Sequence, residues 1–215
     1  RIREELPFEV VVTGYGLTEA GTVTATSADD DAETVATTVG RPRPGFELRI
    51  EADDVGEILV RGPSVMVGYL DDPDGTEAVQ SDGWLRTGDL GRIENGNLRI
   101  VGRSKDMFIV GGFNAYPAEI ENALLGHPDI AQAAVVGVPD DRLGEVGYGF
   151  VVLRPGATVT PTELIAWSRE RMANYKAPRT IELVDELPLN ATGKVEKLVL
   201  RERATTTTAH PRSHR

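Results

Sequence analysis

Cysteine is absent from the 215 residues. That excludes disulfide staples and thiolate zinc sites, and it makes a reducing compartment, the cytoplasm, the natural setting. Histidine is nearly as scarce. His127, His210 and His214 share no metal-ligand spacing and build no Ser–His–Asp constellation. No uninterrupted apolar run is long enough to cross a membrane. The N-terminal Arg1-Ile2-Arg3-Glu4-Glu5 has two basic residues with no apolar signal core behind them. Positive charge is in deficit: 23 Lys and Arg against 34 Asp and Glu leave a formal net charge of −11. This balance argues against a protein that grips nucleic acid through its phosphates. It still allows a small polyanion to be held, because local cations, a metal and backbone N–H groups can neutralise it inside an acidic protein.

What is present is ordinary for a globular chain: 40% hydrophobic and 27% charged residues, enough for one large domain or two small ones. The acidity is concentrated in runs such as Asp29-Asp30-Asp31 and Asp71-Asp72, which read as solvated surface. Ile2–Leu6 reads as a helix end and Phe8–Thr13 as a buried strand, separated by Pro7. Such a strand needs neighbours that the sequence does not supply, so the reading places further chain upstream.

From Gly40 to Arg103 the pattern is short, alternating and punctuated by glycine. It predicts strands at 47–50, 57–60, 84–87, 90–93 and 98–101. Asn95-Gly96 marks a hairpin, since a type I′ turn needs positive φ at both central residues. Strands at this spacing predict a small distorted antiparallel β-barrel or a layered sheet. After Arg103 the style changes. Pro117–Leu125 is helical by spacing, with Gly126 beyond its end. Residues 130–138, 147–153 and 180–184 read as strands. Thr160-Pro161-Thr162-Glu163 is a capping box opening a helix that reaches about Met172. The class is α+β: residues 1–103 carry the barrel, 104–203 form a compact α+β domain, and 204–215 are a polar, unpatterned tail read as disordered.

Four segments carry chemistry-bearing residues. Tyr15-Gly16-Leu17-Thr18-Glu19 offers a close backbone approach, a hydroxyl for a phosphate oxygen and a carboxylate for a hard cation. A tight strand–loop connection accounts for the same residues equally well. In Thr87-Gly88-Asp89 the carboxylate can accept from two neighbouring hydroxyls, although aspartate in a β-turn is common. Gly102-Arg103-Ser104-Lys105-Asp106, followed by Gly111-Gly112 and a Tyr116-Pro117 that opens a helix, reads as a charged joint and a glycine tip. A linker and loop would explain the glycines but not the charges. Leu187–Lys194 ends in Gly193-Lys194 on a loop read as mobile. It is no P-loop, because Val195 stands where the magnesium-binding hydroxyl belongs.

Taken in order, these segments resemble the adenylate-forming superfamily of acyl-CoA synthetases, luciferases and peptide-synthetase adenylation domains. The resemblance includes Gly56–Gly62 with Gly68-Tyr69, Gly83–Asp89, Tyr175-Lys176-Ala177-Pro178 and Pro188–Lys194. Gly111–Pro117 looks like the carboxylate–CoA ligase branch, fatty-acid ligases included. The resemblance implies that residues 1–103 are the last portion of the large AMP-binding domain and residues 104–203 the small, mobile C-terminal domain.

Its chemistry joins a carboxylic acid to CoA by way of acyl-AMP, using ATP, Mg²⁺ and CoA. It implies that Tyr15 packs on adenine with Gly16 beside it, Thr18 binds phosphate and Glu19 holds Mg²⁺. Asp89 and Arg103 would bind the ribose. Lys105 would be the hinge, Lys194 would bridge carboxylate and ATP, and Gly111 and Gly112 would line the pantetheine tunnel. Residues 15–24 and 111–121 look like those of fatty-acid and steroid-remnant propionate ligases. The family's Ser/Thr/Gly-rich phosphate loop is absent from these residues, so the chain alone is expected to be inactive in adenylation. Two other readings stay open: an adenylating enzyme with a carrier-protein acceptor, and a non-catalytic remnant that binds nucleotide or partner proteins.

Overall fold

A computed structural model describes residues 9–209, and the chain divides into two compact units between Ser104 and Lys105. The predicted helix at residues 2–6 lies outside the described residues. Residues 9–13 form no strand, and Val10 and Val12 are about half exposed, at 54% and 55%. A valine run supplies β-propensity, but only hydrogen-bonding neighbours make a strand. Pairing begins one residue later. β1 (Gly14–Leu17) runs antiparallel to β2 (Gly21–Ala25), and β2 to β3 (Arg41–Pro42). Tyr15, Gly16 and Leu17 therefore lie within a strand rather than after one, and Thr18–Ala20 form the turn.

The larger sheet of this unit comprises β4 (Glu47–Ile50), β5 (Gly56–Arg61), β6 (Gln80–Ser81), β7 (Trp84–Glu94) and β8 (Asn97–Arg103). Its order is β4-β5-β7-β6, with β8 paired to β7 beyond β6. This antiparallel sheet curls into a half-barrel. The two strands predicted at 84–87 and 90–93 are one eleven-residue strand, interrupted by a bulge rather than a turn. Asn95 (φ 51°) and Gly96 (φ 80°) make the predicted hairpin. Ala20, Val23, Ile58, Val60, Leu85 and Leu98 form the core, each of the larger ones stabilising the fold by roughly 1.5–3 kcal/mol.

Two short helices escape the sequence pattern: α1 (Ala32–Thr37) and α2 (Pro73–Val79). Both start where the acidic runs end. Asp31 accepts from the Thr34 N–H at 2.7 Å and Asp72 from the Gly75 N–H at 2.9 Å. These carboxylates satisfy amides that an opening helical turn leaves unpaired.

A 3₁₀ turn, Ser104–Asp106, leads into the second unit. Its strands are β9 (Phe108–Val110), β10 (Phe113–Ala115), β11 (Ile130–Asp140), β12 (Gly144–Leu153) and β13 (Thr180–Leu183). The order is β10-β9-β12-β11, with β13 parallel to β12. Helix α3 (Pro117–Leu125) packs on β11 and helix α4 (Pro161–Arg171) against β13 and α3. The Thr160–Glu163 capping box is closed from both sides. Phe108, Ile120, Leu124, Phe150 and Leu164 fill the core.

The last helix, α5 (Lys197–Ala209), also lies on β11 and corrects the tail predicted from residue 204. Leu200 and Ala204, one turn apart, are buried at 1% and 0%, and the Thr205–Thr207 hydroxyls bond carbonyls four residues back. Threonines are poor helix formers, but two buried residues on one face hold the segment against the sheet. Residues 210–215 lie outside the described part. No helix among the described residues is long and apolar enough to cross a membrane.

Candidate functional site

In the first unit the chemistry gathers around a distorted stretch of β7. Leu59 pairs with Arg86 and Glu57 with Leu90, so Thr87, Gly88 and Asp89 together oppose Ile58 alone. Two extra residues must bow out of the ladder. Gly88 does so with φ +70°, a region closed to most side chains. Thr87 stitches the bulge by donating to the Ile58 carbonyl at 2.8 Å and accepting the Asp89 N–H at 3.1 Å.

The bulge delivers the Asp89 carboxylate into a nearly buried position, 9% exposed. There the Tyr15 hydroxyl donates to Oδ2 at 2.7 Å and Arg103 Nε to Oδ1 at 2.9 Å. Burial pushes the Tyr15 phenol well above its ordinary value, and the Asp89 carboxylate adds to the effect. At neutral pH Tyr15 is therefore a fixed donor. Its ring rests on the apolar core. Arg103 ends β8 directly across from Asp89, which is why residues so far apart in sequence meet.

A cleft of about 270 Å³ opens beside them, lined by Glu19, Tyr69, Thr87, Gly88, Asp89 and Arg103, among others. Glu19 sits in the β1–β2 turn, and its Oε1 accepts from the Tyr69 hydroxyl at 3.0 Å. That bond raises the Tyr69 phenol above its usual value. Thr18 stands exposed on the same turn. Gly16 is needed for packing, because a Cβ there would lie 2.2 Å from the Gly21 carbonyl oxygen. Among the described residues no three His, Cys, Asp or Glu side chains cluster as a metal cage. A single carboxylate such as Glu19 suits a magnesium ion that takes its remaining ligands from water and phosphate.

The second unit carries the other predicted residues. Gly111 (φ 57°) and Gly112 (φ 88°) are the two-residue turn of the β9–β10 hairpin. The Gly111 N–H is held by the Leu143 carbonyl at 2.8 Å, and nothing lies within 4 Å of a Cβ placed on Gly112. Lys105 is exposed in the 3₁₀ turn. Lys194 is exposed too, but its loop is not the slack segment predicted. Asn190 Oδ1 accepts from the Thr192 N–H, the Thr192 hydroxyl and the Lys194 N–H at 3.0, 2.8 and 2.9 Å. Main-chain bonds between Asn190 and both Gly193 and Lys194 close the turn. An anchored backbone thus bears a flexible cationic stem. Beside the glycine tip, Phe113 stacks on Tyr175 at 5.0 Å, and Lys176 pairs with Glu119 at 2.6 Å.

Residues 1–70 match the model of the AMP-binding enzyme family, and residues 119–194 match that of the AMP-binding enzyme C-terminal domain. The chain belongs to the adenylate-forming, AMP-binding enzyme superfamily. It is 58% identical over 205 residues to the 3-[(3aS,4S,7aS)-7a-methyl-1,5-dioxo-octahydro-1H-inden-4-yl]propanoyl:CoA ligase of Mycobacterium tuberculosis, an alignment covering 94% of the chain and 40% of the relative. An amide bond synthetase from Marinactinospora thermotolerans superposes with a TM-score of 0.84 at 39% identity, covering 90% of this chain and 42% of that one. The o-succinylbenzoate CoA synthetase of Bacillus subtilis, in complex with its acyl-adenylate intermediate, gives 0.81 at 36% identity over 91% and 41% of the two chains. The chain spans about 40% of the length of the curated relatives it matches.

Within this chain, Tyr15, Asp89 and Arg103 are brought into direct contact, and Glu19 lines the same cleft. Thr18 and Gly16 flank Glu19 and Tyr15 in sequence. Lys105, Gly111, Gly112 and Lys194 belong to the other unit. Tyr69 and Glu57 fall within segments that carry the resemblance, Gly68-Tyr69 and Gly56–Gly62, but the sequence assigns neither a role at the site. Tyr69 lies fifty residues from the Glu19 it touches, and a hydrogen bond across that separation leaves no periodic trace.

Proposed function

We propose that this chain carries the ribose-holding and lysine-bearing parts of a carboxylic acid–CoA ligase. A carboxylate oxygen of the substrate attacks the α-phosphorus of ATP, the bond to the bridging β-phosphate oxygen breaks, and pyrophosphate leaves. The CoA sulfur then attacks the acyl carbonyl, and AMP departs with the electron pair of the acyl–oxygen bond.

The observation that carries this reading is the buried Asp89 carboxylate. Tyr15 and Arg103 engage one lone pair on each oxygen, and the remaining lone pairs can accept from a ribose diol. Tyr15 would bring adenine beside β1, where Gly16 keeps the backbone low. Thr18 would meet a phosphate oxygen. Glu19 would hold Mg²⁺, which when bound neutralises phosphate charge. Lys194 would place its ammonium where negative charge grows on the α-phosphate, favouring the transition state over bound substrate. A point charge on a flexible stem suits a group that arrives for one step and withdraws for the next. In that cycle Lys105 would be the pivot, and Gly111-Gly112 a side-chain-free wall for the pantetheine arm.

The substrate class is a hydrophobic carboxylic acid, with a fused-ring propanoate favoured by the relative at 58% identity. The setting would be the cytoplasm, within fatty-acid or steroid-remnant metabolism. The intact protein, given ATP, magnesium and that propanoate, should release pyrophosphate without CoA and release AMP only once CoA is added. AMP release that CoA leaves unchanged would remove the ligase reading. AMP release driven by an amine would favour an amide-forming enzyme, the activity named for the Marinactinospora neighbour.

A further inference from the structure

The Thr87–Asp89 bulge is held by more than its own residues. Its displaced Gly88 amide has lost its ladder partner and donates instead to Glu57 Oε1 at 2.9 Å. The other Glu57 oxygen pairs with Arg86, which also binds Glu51 at 2.6 Å. Glu57 is itself largely buried, its side chain 18% exposed. It thus clamps the bulge at its middle, while Arg86 clamps Glu57 from the residue just before the bulge.

We infer that Glu57 is a positioning residue: it fixes the Gly88 peptide, and through it the height and direction at which Asp89 meets the nucleotide sugar. The inference rests on the reading of Asp89 as the ribose acceptor. Glu57 need not touch the nucleotide. Without its carboxylate, the Gly88 N–H has no acceptor, Gly88 is free of a Cβ that would restrain it, and Asp89 loses its preset placement although Tyr15 and Arg103 still reach for it. Preset geometry matters here because a carboxylate aimed at two adjacent hydroxyls tolerates little displacement.

The test is equilibrium titration of the intact protein with ATP and with 2′,3′-dideoxy-ATP. The wild type should prefer ATP by at least tenfold, the scale of a charge-assisted hydrogen bond. Glu57→Ala should lower that preference to within about threefold of unity while binding dideoxy-ATP much as the wild type does. Glu57→Asp, which keeps the charge but is one methylene short of Gly88, should behave the same way and covers the case in which the alanine variant does not fold. Glu57→Gln, which can still accept from Gly88, should restore most of the preference. A wild type that binds both nucleotides equally would overturn the ribose reading of Asp89, and this inference with it. A wild type that discriminates, with the alanine and aspartate variants discriminating equally well, would overturn the positioning role alone.

Discussion

Tyr15 and Lys194, both proposed to serve one reaction, are held in very different ways. Tyr15 is fixed: its hydroxyl satisfies a buried carboxylate at 2.7 Å. Removing that hydroxyl leaves Asp89 short of a donor, and hydrogen bonds to charged groups contribute ~1.5–3 kcal/mol. Tyr15→Phe should therefore lower the stability of the first unit by about that amount, read as a shift in urea midpoint by Trp84 fluorescence. Lys194 is exposed and should be dispensable for folding. In the intact protein, Lys194→Ala should slow acyl-AMP formation ~10²–10³-fold, the scale for losing one preorganised charge donor. It should spare thioester formation from supplied acyl-AMP. Equal losses in the two half-reactions would contradict a role confined to the first.

Helix α4 shows at the scale of an element how caps turn into pH dependence. The Glu163 carboxyl lies below its usual 4.5 because the Thr160 hydroxyl and N–H both bond its charged form. Asp31, at the start of α1, is lowered in the same way by the Thr34 N–H and hydroxyl. A carboxyl with a depressed folded-state pKa stabilises the fold above its unfolded value and loses that contribution as pH falls through the folded one. Thermal midpoints should accordingly decline below about pH 4.5, the ordinary glutamate value. Thr160→Ala should lower the midpoint of the second unit by roughly 5 °C at pH 7. It should flatten the acid decline of that unit, and an unchanged slope would mean Glu163 contributes nothing to it.

For the whole molecule, the two units each own a separate apolar core and, by chance, one tryptophan: Trp84 in the first and Trp167 in the second. Leu98, fully buried in the first core, should cost about 2–5 kcal/mol when cut to alanine. The midpoint reported by Trp84, in a Trp167→Phe background, should fall. The midpoint reported by Trp167, in a Trp84→Phe background, should hold within a few tenths of a kcal/mol, the behaviour of two cores that unfold independently. A matching fall in both would show that the cores unfold as one.

Local chemistry was legible where neighbours in sequence are also neighbours in space. Pro117–Leu125, the Thr160 capping box and the Asn95-Gly96 turn each depend on contacts within four residues, and each was readable from residue types alone. The candidate site residues came instead from a resemblance of whole segments to a family, because taken alone Tyr15–Glu19 reads equally well as a strand–loop connection and Thr87-Gly88-Asp89 as a β-turn. Whatever depends on partners far along the chain was settled by the tertiary structure. Thr87-Gly88-Asp89 reads as a turn until β5 is laid beside β7 and shows two residues too many. Val10 and Val12 read as part of a buried strand, yet among the described residues both are about half exposed and lie in no strand. Ala204–Ala209 reads as tail until burial of Leu200 and Ala204 outweighs the weak helix propensity of four threonines. Residue order sets which bonds each stretch can make, and only packing decides which of them water does not take.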